Sequence, residues 1–211
     1  MHQNSDLDNM PAQRAHDPNA ARRVPDNAGR IIAVFGGSRA QPGSAEYVEA
    51  YAVGRLLAHA GFVVMNGGYG GTMEASARGA RENGGRVIGV LSDEFAWLKP
   101  NPYIDETMTS EDLFLRIRTM QRTADGFIVL KGSMGTLAEL ALVWNLSKID
   151  AKYRKPIILL GNAWAMVIQA WREQLPVTDE EALLLQVVAQ PEEAVEFIRK
   201  YNEAHNPPKL Q

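Results

Sequence analysis

From residue 30 onward, short apolar runs alternate with stretches of helical period. Arg30-Ile-Ile-Ala-Val-Phe35 reads as a buried strand entering the turn Gly36-Gly37-Ser38-Arg39. A helix is predicted over about residues 44–60, where Val48, Ala52, Leu56 and His59 recur near helical period and Gly61 is the stop. Phe62 to Met65 gives a second strand. The turn Asn66-Gly-Gly-Tyr-Gly-Gly71 opens a helix ending near Asn83, and Arg86 to Leu91 gives a third strand. Residues 92–109, rich in Pro, Asn and Asp, read as a long loop over the sheet edge, of a length that is usually functional or mobile. Ser110 is the predicted N-cap of a helix over 111–123. On that helix Leu113, Ile117, Met120 and Ala124 form an apolar stripe, with Arg116 on the same side and Arg118 and Arg122 opposite.

Phe127 to Leu130 is the next strand, followed by a glycine-bearing turn and a helix through Leu137, Leu140, Ala141 and Trp144. A strand at 157–160, a helix at 164–171, a strand-like run at 183–188 and an amphipathic helix from Pro191 to Tyr201 close the chain. This alternation predicts a three-layer, Rossmann-like α/β fold, a doubly wound and mostly parallel sheet with right-handed crossovers. Ligands in such sheets bind at the carboxyl ends of the strands. All the glycine turns fall there.

Residues 1–29 differ in kind. They mix Asn, Gln, Asp, Pro and Arg with almost no bulky apolar residues, so a flexible tail is expected before one domain over 30–211. A net charge of −3 argues against a nucleic-acid partner. Cysteine is absent, which removes thiolate catalysis and disulfides and fits a reducing cytoplasm. No apolar run reaches membrane-spanning length and no secretory h-region opens the chain, so no membrane partner is expected.

The candidate chemistry lies around Lys131-Gly132-Ser133-Met134-Gly135-Thr136. At a strand-to-helix turn, free N–H groups and the positive end of a helix dipole point to one place, where a phosphate can dock. Glu139 follows one turn inside the helix. Thr136-Leu-Ala-Glu139 also matches a capping box, which would give both side chains a purely local role. Arg116, on an apolar stripe, must find a partner, either Asp112 at i−4 or a carboxylate such as Glu139. A second turn echoes the first, with Gly67, Gly68, Gly70 and Gly71 before Glu74, although any such turn favours glycine. A dinucleotide fingerprint is incomplete because Met73 stands at its third glycine, and no Walker lysine follows either turn. His2, His16, His59 and His205 are scattered, so neither a triad nor a metal cluster is expected.

Val34-Phe-Gly-Gly-Ser-Arg39, Gly67-Gly-Tyr-Gly-Gly-Thr-Met-Glu-Ala75 and the run Arg116…Gly135-Thr-Leu-Ala-Glu139 together resemble the Lonely-guy family of nucleotide-binding Rossmann proteins, often labelled lysine decarboxylases. The resemblance implies a homodimer that hydrolyses a nucleoside 5′-monophosphate, of cytokinin type or an ordinary purine nucleotide, to free base and ribose 5-phosphate without a cofactor. It implies Arg116 and Glu139 as the catalytic pair. Gly132, Gly135 and Thr136 match its phosphate turn, with Ser38 assisting. Three positions depart from the family pattern: Lys131 replaces a proline, Ser133 a glycine and Ile117 a lysine. A positive φ at Ser133 would cost roughly 1–2 kcal/mol. Lys131 offers either an ammonium for the phosphate or a solvated strand end. The altered turn keeps open a second reading, a nucleotide-sensing module that binds without cutting. Phe95, Trp97 and Tyr103 either stack on a base or pack their loop down. The helix bearing Trp144 is the expected part of a dimer interface.

Overall fold

Residues 29–205 are described by a computed structural model. The expected tail, apart from Gly29, lies outside the described residues. Seven parallel strands form one sheet: β1 (Ile31–Phe35), β2 (Val63–Asn66), β3 (Val87–Ser92), β4 (Glu106–Ser110), β5 (Gly126–Val129), β6 (Ile157–Leu160) and β7 (Leu185–Val188). Their spatial order is β4-β3-β2-β1-β5-β6-β7, with β1 at the centre. Register is tight there, with Ile32 opposite both Val64 and Gly126. The helices are α1 (Ala45–His59), α2 (Thr72–Arg81), α3 (Leu113–Thr123), α4 (Met134–Ile149), α5 (Ala163–Gln174), α6 (Asp179–Ala182) and α7 (Pro191–His205). Among the described residues no helix is long and apolar enough to cross a membrane.

Alternation along each strand feeds two cores. Ile32, Val34, Val64, Ile128 and Leu160 turn toward Ala50, Val53 and Leu57 of α1, Ala77 of α2 and Ile198 of α7. Ala33, Phe35, Met65, Phe127 and Leu159 turn to the other face, against Met120 of α3, Leu140 and Val143 of α4 and Trp164 of α5. Both faces of the sheet are covered, as near-continuous apolar strands require.

Three expectations are corrected. The buried face of α1 is Tyr47, Ala50, Val53, Gly54 and Leu57, whereas Val48 is exposed. That face is set by small residues: a methyl at Gly54 or Gly79 would run into the backbone of Ser76 or Tyr51, so α1 and α2 meet main chain to main chain. The long loop contains β4, whose polar sequence Glu-Thr-Met-Thr-Ser hides an edge strand recognised only by its ladder to β3. Ser110 therefore ends a strand, and the N-cap of α3 is Asp112, which accepts from Leu115 N at 2.7 Å.

Candidate functional site

The chain leaves β1 toward β2 on one side, while β5 returns on the other. The turns after β1 and β5 diverge at this switch point and open a crevice at the carboxyl edge of the sheet. A cavity of about 390 Å³ lies there, lined by Gly37, Ser38, Arg39, Thr72, Lys131, Gly132 and Ser133 among others. Its walls are tied together. Gly37 donates to Lys131 O at 3.3 Å, and Gly37 O accepts from both the amide (2.9 Å) and the hydroxyl (3.1 Å) of Thr72. Gly71 has φ 72° and lies directly beneath the Gly37–Ser38 backbone, so an L side chain there is excluded by conformation and by space.

Helix α4 begins at Met134 with Ser133 as N-cap, and no side chain caps it. Leu137 N reaches Ser133 O at 3.0 Å, which leaves the amides of Met134, Gly135 and Thr136 without an acceptor inside the helix. Residues 131–135 are all exposed. Free amides, a helix dipole and the nearby Lys131 and Arg39 make this turn fit for an anion.

Two expectations about this turn change. Thr136 is the third residue of α4 and packs beneath Gly132, so Thr136 and Glu139 form no capping box. Ser133 has φ −111°, so the residue carries no left-handed strain. Ile117, where the family pattern has a lysine, is buried.

Arg116 and Glu139 are brought together as a nearly buried pair, 6% and 9% exposed. The guanidinium Nη1 lies 3.9 Å from Glu139 Oε1, an ion pair too long for a hydrogen bond. Arg116 Nε donates to Val90 O at 2.7 Å, while Asp112 is occupied in capping α3. The guanidinium also lies 5.8 Å from the ring centroid of Tyr69, an attraction worth roughly 0.5–2 kcal/mol. A methyl on Gly67 would collide with Arg116 Nη2, so the glycine is there to admit the guanidinium. Burial pushes the Glu139 carboxyl up to about 7, with Arg116 pulling it partly back. A carboxyl poised near neutrality can stabilise positive charge and exchange a proton.

The second glycine turn is a different object from the first. Glu74, the echo of Glu139, accepts from Tyr47 Oη at 3.1 Å. Gly67 and Gly68 sit in a turn clamped by Asn66, whose amide donates to Met73 O (2.9 Å) and Ser76 Oγ (3.1 Å) and whose carbonyl accepts from Gly68 N (2.9 Å). Gly70 and Gly71 lie against Ser38 and so buttress the first turn. Asn101 closes the clamp from the long loop, donating through Nδ2 to Tyr69 O at 2.9 Å and through its own amide to Gly68 O at 2.8 Å. Neither asparagine stands out in the sequence, and only their burial marks them. Phe95 stands edge-on to Tyr69 and Trp97, the latter 75% exposed, whereas Tyr103 packs beneath Arg78. Trp144 stacks on Trp171 and donates to Glu181 O at 2.8 Å.

The chain is 32% identical over 159 residues to a cytokinin riboside 5′-monophosphate phosphoribohydrolase of Mycobacterium marinum, covering 72% of this chain and 83% of that one. The molybdenum cofactor binding protein of Rippkaea orientalis superposes with a TM-score of 0.66 at 26% identity, covering 82% of this chain and 97% of that one. The molybdenum cofactor carrier protein of Chlamydomonas reinhardtii shares the fold, with a TM-score of 0.63 at 24% identity over 81% of this chain and 97% of that one. The sequence profile of the SLOG cluster4 family matches residues 29–195, and the chain belongs to that family.

Proposed function

We propose that the protein hydrolyses the N-glycosidic bond of a nucleoside 5′-monophosphate, of cytokinin type or an ordinary purine nucleotide. The observation that carries this reading is the buried Arg116–Glu139 pair beside an exposed, uncapped helix start, in a chain related to a phosphoribohydrolase. The phosphate docks on the amides of Met134 to Thr136 with Lys131, Arg39 and Ser38 around it. Anchoring the remote phosphate aligns the bond that breaks. As the C1′–N bond lengthens, its electron pair leaves with the base and positive charge grows on C1′ and the ring oxygen. The ionised Glu139 stabilises that charge. A hydroxyl or water about 2.8 Å from both Arg116 Nη1 and Glu139 Oε1 can bridge their gap. Such a water attacks C1′ and gives a proton to Glu139, while the departing base takes a proton from solvent. The products are free base and ribose 5-phosphate.

A panel of purine and pyrimidine nucleoside monophosphates, read by chromatography of free base, tests the reading, with Glu139→Gln as the blank. Release that disappears in Glu139→Gln supports it. Full turnover by that variant would refute the assigned role. The likeness to a molybdenum cofactor binding protein favours a second reading, binding without cleavage. That reading predicts thermal stabilisation by nucleotides with no base released.

A further inference from the structure

The separation inside the Arg116–Glu139 pair has a structural cause. Arginine and glutamate buried together would ordinarily close into a hydrogen-bonded pair. Here the guanidinium is held elsewhere: Nε is taken by Val90 O of β3, and Cζ stands over the Tyr69 ring, 5.8 Å from its centroid. Tyr69 is itself buried and immobilised. Its hydroxyl donates to Ser92 O at 3.4 Å and accepts from Ser92 N at 3.3 Å, its carbonyl accepts from Asn101, and Phe95 packs edge-on against the ring. The charged neighbour of the Glu139 carboxyl is Arg116 of α3, while β1, on which α4 also packs, carries only apolar side chains.

We infer that Tyr69 is a positioning residue for the reaction: its ring, hung from the end of β3, holds the Arg116 guanidinium short of a closed ion pair and so keeps the Glu139 carboxylate free for substrate. The inference rests on the glycosidase reading for its catalytic meaning, but its physical content is independent of turnover. Without the ring face, Arg116 keeps its Nε bond to Val90 and can swing Nη1 onto Glu139. The carboxylate is then occupied by the guanidinium and held ionised more firmly. The phosphate turn, built from β5 and α4 around Gly132, is untouched by that swing.

The deciding experiment is a carboxyl carbon-13 titration of Glu139 in protein labelled at glutamate, with the resonance assigned by Glu139→Gln. Tyr69→Leu removes the ring and Tyr69→Phe removes only the hydroxyl. The expected result is a midpoint about one to three pH units lower in Tyr69→Leu, the range for a carboxylate gaining a close cation, and nearly unchanged in Tyr69→Phe. In the base-release assay, Tyr69→Leu should lower kcat about tenfold or more and move KM by less than about twofold, with Tyr69→Phe restoring most of the turnover. A midpoint in Tyr69→Leu equal to that of the wild type overturns the inference. If Tyr69→Leu does not fold, Tyr69→Met fills the space without a π face and carries the same expectation. If the wild type releases no base, the glycosidase reading falls while the titration still decides the role of Tyr69.

Discussion

Replacing Glu139 by Gln should make the protein more stable while removing its activity. The carboxyl is held at about 7 in the folded protein against 4.5 when free, and burial is the larger cause. Below pH 4.5 it is protonated in both states, and its ionisation contributes nothing. Between 4.5 and 7 the unfolded chain releases the proton while the folded chain keeps it, so stability falls as pH rises. Above 7 the loss is complete, and at about 1.4 kcal/mol per pH unit it amounts to about 3 kcal/mol. The attraction to Arg116 is already contained in that net position. A neutral amide escapes the whole penalty, so Glu139→Gln should exceed the wild type by about 3 kcal/mol at pH 8, or a rise in Tm of about 6–12 °C for a chain of this size. The gain should shrink to nothing near pH 4.5. Urea denaturation at the two pH values, with equal slopes for both proteins, measures it. A variant no more stable than the wild type at pH 8, or one whose advantage persists at pH 4.5, would refute the claim that a burial-destabilised carboxylate occupies this position.

Gly67→Ala should abolish base release, because its methyl occupies the space of Arg116 Nη2, and should lower stability by about 1–3 kcal/mol in a denaturant titration. Asn66→Ala strips a fully buried clamp of its three hydrogen bonds, so a loss of about 1–3 kcal/mol is expected by the same method. Ser133→Gly relieves no strain and should be neutral or destabilising by less than about 1 kcal/mol; a clear gain would contradict the φ of −111°. Lys131→Ala should raise KM for the nucleotide about three- to tenfold at low salt, and the difference should fade as salt screens the exposed ammonium.

Apolar strands and glycine turns were legible because each stands on one strong local signal. The strand, turn and helix from Phe127 through Trp144 follow from periodicity alone, and the doubly wound sheet follows from repeating that pattern. Arg116 was legible as a charge on an apolar stripe, a local contradiction resolved by Glu139 across α3 and α4. The periodicity of bulky residues points to the wrong face of helix α1 because its buried face is chosen by smallness: Ala50 and Gly54 mark a close backbone approach. Strand β4 leaves no apolar pattern, since an edge strand needs only a neighbour with free ladder groups. The clamp residues Asn66 and Asn101 gave no signal, because a polar residue beside glycine and proline is indistinguishable from a solvated loop until its burial is known. Ser133 stands where the family pattern has a glycine, yet the backbone takes an extended conformation there that any residue can adopt.

The main-chain contact between α1 and α2 reaches further than packing. Helix α1 follows the turn after β1, and α2 follows the clamped turn after β2, so fusing the two helices joins both turns into a single body with little give. The opposite wall of the crevice, residues 131–135, stands in solvent at the start of α4. The crevice therefore has one wall fused into the α1–α2 body and the other presented to solvent, with the Gly37–Lys131 hydrogen bond joining them at the base. A substitution at Lys131 or Ser133 therefore alters a solvent-facing surface, whereas one at Gly54 or Gly79 disturbs both turns at once.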